Sequence, residues 1–405
     1  MTILYFCFLL ISVLLFFFLV FPFLKVLRSL VAREDLGLVD ESVECDFACI
    51  ITAYKNAEIT KPGVQSLLRQ NYGRFEIYVV ADECDVSNYD LEHEKLTVFR
   101  PDPPLRLKAK SIIYAMEHYK RKHEYTLVFD ADNLAHPDFL RTINRYVQAG
   151  HRAIQGQRTA KNLDTLYACA DATGEFYKNY VERYVPYLIG SSAVISGAGM
   201  AVESELYRAY LASPEIEQGK HKWKKMLQED KILQNFLLRR REKIAYAWDA
   251  VVYDEKVTTA EQVETQRSRW LFSYFQNLPN SSGLLWRGIR GGNYNQYLFG
   301  LITIAPPLFI LLFGSGVLLL LGLLIDPRIS LLLLIGIATF IGNIFFVLYL
   351  SKVPSEIWRA LWGIPFFIWN QVTALFKMAN PNKNFKHTEH SRSVSIDEVL
   401  KQNKE

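Results

Sequence analysis

The chain has 405 residues, 50% hydrophobic and 22% charged, and its 46 basic residues nearly balance 42 acidic ones, giving a net charge of +4. The apolar residues concentrate at the two ends and the charges in the middle, which excludes a purely soluble enzyme, a disordered chain and a fibrous repeat. The near balance of charge gives no argument for a nucleic-acid partner, and five cysteines without a CxxC pair predict reduced thiols in a cytosolic domain.

The first element is an apolar run at the N-terminus. Residues 2–24 form 23 positions without a charge, long enough to cross the roughly 30 Å hydrocarbon core of a bilayer. A cleaved signal peptide is the alternative, but no small-residue cleavage site follows Val20. Three basic residues precede the first acid, so the positive-inside rule predicts a cytoplasmic flank here and an external N-terminus: Lys25, Arg28 and Arg33.

The middle of the chain alternates short apolar runs with amphipathic stretches, which predicts an α/β domain with a largely parallel sheet. Strands are expected at 46–52, 75–81 and 125–129, and helices at 62–70 and 108–119. Ligands of such sheets bind beyond the carboxyl ends of the strands. Polar or small residues occupy three of these ends: Thr52, Ala53 and Tyr54, then Asp82, then Asp130 and Asp132.

Acidic and basic residues at these ends suggest a site for a nucleotide. Asp130 and Asp132 could share a hard divalent cation that neutralises a diphosphate; the alternative is that Asp132 caps a following helix. Asp82 could accept the imide N–H of a uracil, or it could simply form a turn. Lys108, at a helix start, would face a phosphate, unless it is a solvated helical lysine.

Later motifs add candidates for an acceptor site. The glycines of Ser196-Gly197-Ala198-Gly199-Met200 would allow a substrate to approach the backbone closely, although a bulge or tight turn explains them equally well. Glu229 and Asp230 open an apolar helix, where an acid favours the helix dipole or acts as a general base.

The string Gln266-Arg-Ser-Arg269-Trp270 places three side chains on one helical face. These are an amide, a guanidinium able to grip a diphosphate, and an aromatic platform. A basic juxtamembrane helix explains the arginine and the tryptophan but not the glutamine. Residues 266–296 contain four arginines and no acid, so this flank is also predicted to be cytoplasmic.

The C-terminal part is again apolar. Charge-free runs at 297–325 and 329–351, separated by a three-residue turn, predict a transmembrane hairpin. The interrupted stretch 360–376 predicts an interfacial amphipathic helix, with a fourth span as the alternative. The predicted organisation is an N-terminal transmembrane helix (1–25), a cytoplasmic domain (26–296), the hairpin (297–351), the interfacial helix (352–379) and a polar cytoplasmic tail (380–405).

The ordered motifs described above resemble those of the membrane-bound family 2 glycosyltransferases, which include cellulose, chitin, hyaluronan and poly-N-acetylglucosamine synthases. The resemblance covers roughly residues 46–275. It implies a GT-A fold, a Rossmann-like nucleotide-sugar-binding α/β domain. It also implies a nucleotide-sugar donor, often UDP-linked, a divalent Mg²⁺ or Mn²⁺ ion, and an inverting single displacement.

The same resemblance assigns roles to residues of this chain. The base of the donor would contact Thr52, Ala53 and Tyr54, and its uracil would bind Asp82. Lys108 would lie near the diphosphate. The residues that close over the diphosphate and the acceptor would be Gln266, Arg269 and Trp270. Asp130 and Asp132 would hold the nucleotide and the metal. The acceptor would meet Ser196, Gly197, Ala198, Gly199 and Trp270, and Asp230 would deprotonate its hydroxyl.

The expected protein is therefore a multi-pass enzyme of the inner cell membrane, a hexosyl- or N-acetylhexosaminyl-transferase that acts at the cytoplasmic face. Its acceptor would be a glycan or a lipid in the synthesis of a cell-surface polysaccharide or glycolipid, with further synthase subunits as partners. One alternative is a nucleotidyltransferase, but its glycine-rich loop is absent from 52–56. Another is an inactive nucleotide-sugar-binding subunit, which should have lost Asp132 or Asp230.

Overall fold

A computed structural model describes residues 2–222, 228–361 and 394–402. The strands are β1 (Phe47–Asn56), β2 (Phe75–Asp85), β3 (Leu96–Phe99), β4 (Tyr125–Asp130), β5 (Leu134–Ala135), β6 (Ala153–Ala160), β7 (Met200–Glu203) and β8 (Ile244–Asp254). The helices up to the end of the sheet are α1 (Thr2–Ser29), α2 (Lys61–Leu68), α3 (Lys108–Glu117), α4 (Phe139–Gln148), α5 (Leu166–Lys178), α6 (Val185–Leu188), α7 (Ser204–Leu211), α8 (Pro214–Lys222) and α9 (Glu229–Arg239). After the sheet follow α10 (Ala260–Arg290), α11 (Tyr294–Ile304), α12 (Leu308–Ile325), α13 (Pro327–Leu350), α14 (Ser355–Ala360) and α15 (Ile396–Gln402).

All eight strands form one mixed sheet in the order β3-β2-β1-β4-β7-β6-β8-β5. Strands β1 to β4 form a parallel half of the sheet. This half joins the rest of the sheet through β4, which pairs with β7 in antiparallel orientation. The three predicted strands are present, and their inner residues are almost fully buried, as expected for continuous apolar runs between helices. The α/β fold class is therefore confirmed. The second half differs from the predicted parallel sheet, since β7 and β5 both run against their neighbours.

The apolar C-terminal part differs in one respect from the prediction. The run 297–325 is not one helix, because Pro306 and Pro307 separate α11 from α12, and proline can neither donate a backbone hydrogen bond nor follow a helical residue comfortably. The first part, α11, folds back along α10, and a Cβ on Gly300 would lie 2.4 Å from the backbone nitrogen of Leu285. The hairpin therefore consists of α12 and α13 alone.

Three described helices are long and apolar enough to cross a membrane: Ile3–Ser29, Leu308–Ile325 and Pro327–Leu350. They pack together, because Gly336 of α13 lies against Phe16 and Leu19 of α1. The hydroxyl of Tyr5 donates a 2.8 Å hydrogen bond to Asp326 in the α12–α13 turn. The start of α1 and the tip of the hairpin therefore lie at the same end of the bundle.

The last segments are described in part. Residues 362–376, most of the predicted interfacial helix, lie outside the described residues. Of the predicted polar tail, 394–402 is described and contains α15, which packs against the outer edge of the sheet. In this contact Ile396 and Val399 are buried against Leu134 of β5 and Tyr253 of β8. The five cysteines are all free, as predicted.

Candidate active site

The ends of β1, β2 and β4 meet at one edge of the sheet, as the sequence predicts. Thr52 pairs with Asp130 on one side and with Val80 on the other, and Tyr54 pairs with Asp82. Because the three strands are parallel neighbours, their carboxyl ends face the same side. Thr52 and Tyr54 are half-buried, whereas Ala53 is buried.

Asp82 is 2% exposed and its carboxylate binds backbone groups of the following loop. One oxygen accepts the N–H of Leu105 at 2.7 Å and the other accepts that of Arg106 at 2.5 Å. This loop leads directly into α3, which begins at Lys108. Asp82 therefore fixes the start of α3, a role that the sequence did not reveal. A carboxylate has about four acceptor positions in all, so contact with a nucleotide base remains compatible with these two hydrogen bonds.

Lys108 lies at the centre of the site. Its ammonium donates to Oδ1 of Asp130 at 2.6 Å and to the carbonyl oxygen of Gly197 at 2.9 Å, and it lies 3.9 Å from Oε1 of Glu229. Burial alone would lower the pKa of Lys108, but the attraction of Asp130 and Glu229 outweighs it and raises that pKa above its usual value. One side chain thus joins a strand end, the glycine-containing segment and the start of α9.

Asp132 is buried and does not cap a helix, because α4 begins seven residues later, after Asp138. Its Oδ2 accepts the N–H of Glu255 at 2.9 Å, and its carbonyl oxygen accepts a hydrogen bond from Lys161 at 3.2 Å. These contacts tie the loop after β4 to the end of β8. The helix-cap hypothesis for Asp132 is therefore wrong.

The chemistry of the two carboxylates fits a hard divalent cation. Among the described residues no group of three or more acidic, histidine or cysteine side chains could hold a metal. Mg²⁺ and similar ions are often held by only one or two carboxylates, with phosphate oxygens and water completing their coordination. The ammonium of Lys108 contacts Asp130, so a metal ion here would share that carboxylate with Lys108. Asp130 and Asp132 are thus suited to an ion that arrives with a diphosphate.

The glycines of residues 196–200 allow a bend that presses against the start of α9. Gly197 and Gly199 have positive φ angles of 84° and 62°, where side chains are unfavourable. A Cβ on Gly197 would lie 3.7 Å from Cβ of Asp230. The amide of Gln155 holds the bend, accepting the N–H of Ser196 at 2.9 Å and donating to the carbonyl oxygen of Ala198 at 2.9 Å.

Glu229 and Asp230 open α9 as predicted, and they point to different neighbours. Glu229 faces Lys108, whereas Asp230 lies beside Gly197, as expected for adjacent helical residues about 100° apart. Burial raises the pKa of Glu229, the positive charge of Lys108 opposes this rise and the nearby Asp230 adds to it. Asp230 is half-buried, with the ammonium of Lys231 at 3.7 Å.

Helix α10 carries the third group of predicted residues. Oε1 of Gln266 is buried and accepts no hydrogen bond from the described residues. Burial lowers the pKa of Arg269, and Trp270 is 39% exposed. The helix is tied to α9 through Gln228, which has a left-handed backbone (φ 59°) and accepts a hydrogen bond from Ser273 at 2.9 Å.

The structure also adds residues that the sequence analysis missed. The indole ring of Trp270 lies beside two cations, with the ammonium of Lys178 at 4.7 Å and the guanidinium of Arg267 at 4.4 Å from its centre. Arg267 is paired with Asp171 of α5. Lys178 and Asp171 belong to no motif, so nothing in the sequence connected them with the tryptophan.

The part of the chain that forms this candidate site resembles known proteins. The family described as "Glycosyltransferase like family 2" matches residues 45–273, more than half of the chain. A mannosyltransferase from Pyrobaculum calidifontis, solved in complex with GDP-Man and Mn²⁺, aligns over 91% of this chain and 99% of its own, with 15% identity and a TM-score of 0.57.

At that identity the similarity to the mannosyltransferase establishes the GT-A fold and nothing finer. TarS from S. aureus, solved as residues 1–349 with UDP, aligns over 76% of this chain and 93% of its own, with 14% identity and a TM-score of 0.38. No protein of curated function matches the chain.

Proposed function

This chain belongs to the glycosyltransferase-like family 2 and is therefore a glycosyltransferase, and we propose that it is an inverting enzyme acting at the cytoplasmic face of a membrane. It would move a hexose or N-acetylhexosamine from a nucleoside diphosphate sugar to a hydroxyl of a glycan or lipid-linked acceptor. The expected donor is a UDP-sugar. The observation that carries this proposal is the position of Lys108, which contacts both Asp130 and Gly197. It brings the proposed donor side within reach of the helix that bears Asp230.

On the donor side, the strand ends would hold the nucleotide. The base would lie against Thr52, Ala53 and Tyr54, with Asp82 below it. A bound Mg²⁺ or Mn²⁺ ion would neutralise the diphosphate and stabilise the leaving group, and Asp130 and Asp132 are the residues that would hold it. Lys108, Gln266 and Arg269 would position the diphosphate by hydrogen bonds and charge.

On the acceptor side, Asp230 would take the proton of the attacking hydroxyl. In a single displacement that oxygen forms the new bond to the anomeric carbon, the nucleoside diphosphate leaves with the electron pair of the old bond, and the configuration inverts. Asp230 suits this role because it is half-buried beside Gly197, so its carboxylate is partly accessible to an acceptor. Trp270 is partly exposed on the same face of α10 as Gln266, and it would support the acceptor ring.

The membrane position of the enzyme is part of the same proposal. Three of the described helices are long and apolar enough to span a bilayer. The basic residues that follow α1, and the four arginines of 266–296, favour the cytoplasm for the domain between them. This arrangement would deliver acceptors from the membrane to the exposed edge of the sheet, in the synthesis of a cell-surface polysaccharide or glycolipid.

The test compares Asp230→Asn with Glu229→Gln in full-length protein solubilised in a neutral detergent. Transfer from radiolabelled UDP- and GDP-sugars is measured with and without Mn²⁺, and nucleotide affinity is measured separately by calorimetry. Asp230→Asn should retain nucleotide affinity but lose transfer by about 10²- to 10⁴-fold, the usual contribution of a general base. Normal transfer by Asp230→Asn would refute the base assignment, as would loss of nucleotide affinity instead of turnover.

A further inference from the structure

Lys178, the last residue of α5, has an ammonium group that forms no ion pair within 4 Å among the described residues. It lies over the ring of Trp270, whose centre is 4.7 Å away. Burial lowers the pKa of Lys178, and the more distant attraction of Glu182 and Glu175 opposes this without outweighing it; Glu175 is itself paired with Arg183 at 2.7 Å. A half-buried cation that nearby acids compensate only in part is unfavourable, so this position is suited to a further anion.

Arg267, the other cation beside Trp270, has an ion-pair partner. Arg267 also lies over Trp270, at 4.4 Å, but its guanidinium is paired with Asp171. The exposed part of Trp270 is therefore flanked by one neutralised cation and by Lys178. Trp270 belongs to the proposed acceptor side, so the anion at Lys178 would be part of the acceptor or close to it.

Contacts with two candidate spans place Lys178 near the membrane surface. Tyr177 accepts a 3.2 Å hydrogen bond from Asn343 of α13 and its ring packs against Phe340. Asn343 lies about 10 Å before the end of α13, at roughly 1.5 Å per residue. On the other side, Lys25 of α1 donates to the carbonyl oxygen of Val181 at 3.1 Å. The end of α5 therefore lies within about two helical turns of the ends of α1 and α13, close to one membrane surface if these helices span the bilayer.

We propose that Lys178 and Trp270 bind the phosphate that joins an acceptor sugar to a membrane lipid. This inference rests on the proposed function, because it needs a transferase whose acceptor comes from the bilayer. A phosphate ester would bring a negative charge into direct contact with Lys178, and a lysine ammonium binds phosphate as a compact point charge. The sugar attached to that phosphate would then lie along Trp270, with its hydroxyl directed towards Asp230. A neutral free glycan would add no negative charge beside Lys178.

The binding test uses dodecyl phosphate, with dodecanol as its uncharged counterpart, titrated calorimetrically into full-length protein in neutral phosphatidylcholine nanodiscs. The variants are Lys178→Met, Lys178→Arg and the matched control Lys243→Met. Lys243 also lies over an aromatic ring, with its ammonium 4.6 Å from the centre of Tyr187, and burial also lowers its pKa. It has no place in the proposed site.

We expect Lys178→Met to weaken dodecyl phosphate binding by about 10- to 100-fold, as for loss of one charge-assisted hydrogen bond. Lys178→Arg and Lys243→Met should bind within a few-fold of the wild type, and dodecanol should bind all four proteins alike. UDP and GDP affinities should not change in Lys178→Met.

Three results would overturn the inference. Unchanged phosphate affinity in Lys178→Met would show that the ammonium binds no phosphate. Weakened UDP or GDP affinity would assign the anion to the donor, and displacement of dodecyl phosphate by added phosphatidylglycerol would assign it to bulk lipid headgroups. The binding measurement needs no turnover. If the wild type bound dodecyl phosphate as expected but transferred no sugar, the proposed function would fail while the phosphate site stood.

Discussion

Asp82→Asn separates two roles that a buried acid at this strand end can play. In one, the carboxylate recognises a uracil, as the resemblance to family 2 glycosyltransferases implies. In the other, it holds the loop before α3 through the N–H groups of Leu105 and Arg106, at 2.7 and 2.5 Å. Asparagine keeps one acceptor oxygen but replaces the other with an N–H₂ group that cannot accept a hydrogen bond.

The size of the effect follows from these two contacts. A hydrogen bond to a charged group contributes about 1.5–3 kcal/mol, and a buried donor left without an acceptor costs a similar amount. We therefore expect Asp82→Asn to lower the free energy of unfolding by about 2 kcal/mol. At roughly 2–4 °C per kcal/mol for a domain of this size, the melting temperature should fall by about 4–8 °C.

Thermal unfolding in detergent and competition binding with UDP, CDP and GDP provide the assay. Because the loop positions Lys108, whose ammonium serves any diphosphate, Asp82→Asn should weaken the three nucleotides alike. Glu83→Gln is the matched control, since Glu83 pairs with Arg106 at 2.9 Å with a partly exposed side chain. Such a pair contributes at most about 1 kcal/mol. An unchanged melting temperature together with selective loss of UDP would refute the loop argument.

Three other substitutions test further parts of the structure. Asp132→Asn should lower Mn²⁺-dependent transfer at least about 100-fold by removing one carboxylate of the cation pair, and an unchanged rate across a Mn²⁺ titration would contradict the metal assignment. Burial raises the pKa of Glu229 above its ordinary 4.5, so the wild type loses stability as pH rises from 4.5 through the pKa of the folded state. Glu229→Gln, which cannot ionise, should therefore raise the melting temperature at pH 7. This gain should vanish below pH 4.5, where the carboxyl is protonated in both states; a gain independent of pH would contradict it. Val399→Asp should lower the melting temperature by several degrees, because Val399 is 1% exposed against the sheet, whereas Lys401→Asp on the exposed face of α15 should not.

The sequence predicted the parallel half of the sheet because β1, β2 and β4 are continuous apolar runs that end in polar residues. Such a run predicts a strand without knowledge of its partners. Strand β7 has only four residues and lies between β4 and β6, so its position depends on long-range pairing that no local pattern records. Pro306 and Pro307 mark the break between α11 and α12. The prediction of a single span rested on the absence of charged residues, and proline carries no charge.

The candidate site was predictable where its residues stand in short motifs at the ends of elements, and hidden where a residue acts through distant parts of the chain. Asp130, Asp132 and Asp230 stand in short motifs at element ends, and in the structure Lys108 contacts Asp130 and lies 3.9 Å from Glu229, the neighbour of Asp230. By contrast, Asp82 binds N–H groups more than twenty positions later, and no side-chain pattern indicates a backbone donor. Lys178 reaches Trp270 only because α5 packs beside α10, which is tertiary information.

The two sides of the site rest on different kinds of support. The proposed donor side consists of strand ends held by backbone pairing, with Thr52 paired to both neighbouring strands. The proposed acceptor side depends on helices joined by side chains, above all on Gln228, which links the start of α9 to Ser273 of α10. Because α10 packs along α11 near the candidate spans, a shift of those helices would move Asp230 and Trp270 relative to the strand ends. We therefore expect membrane contacts to affect the proposed acceptor side more than the proposed nucleotide site.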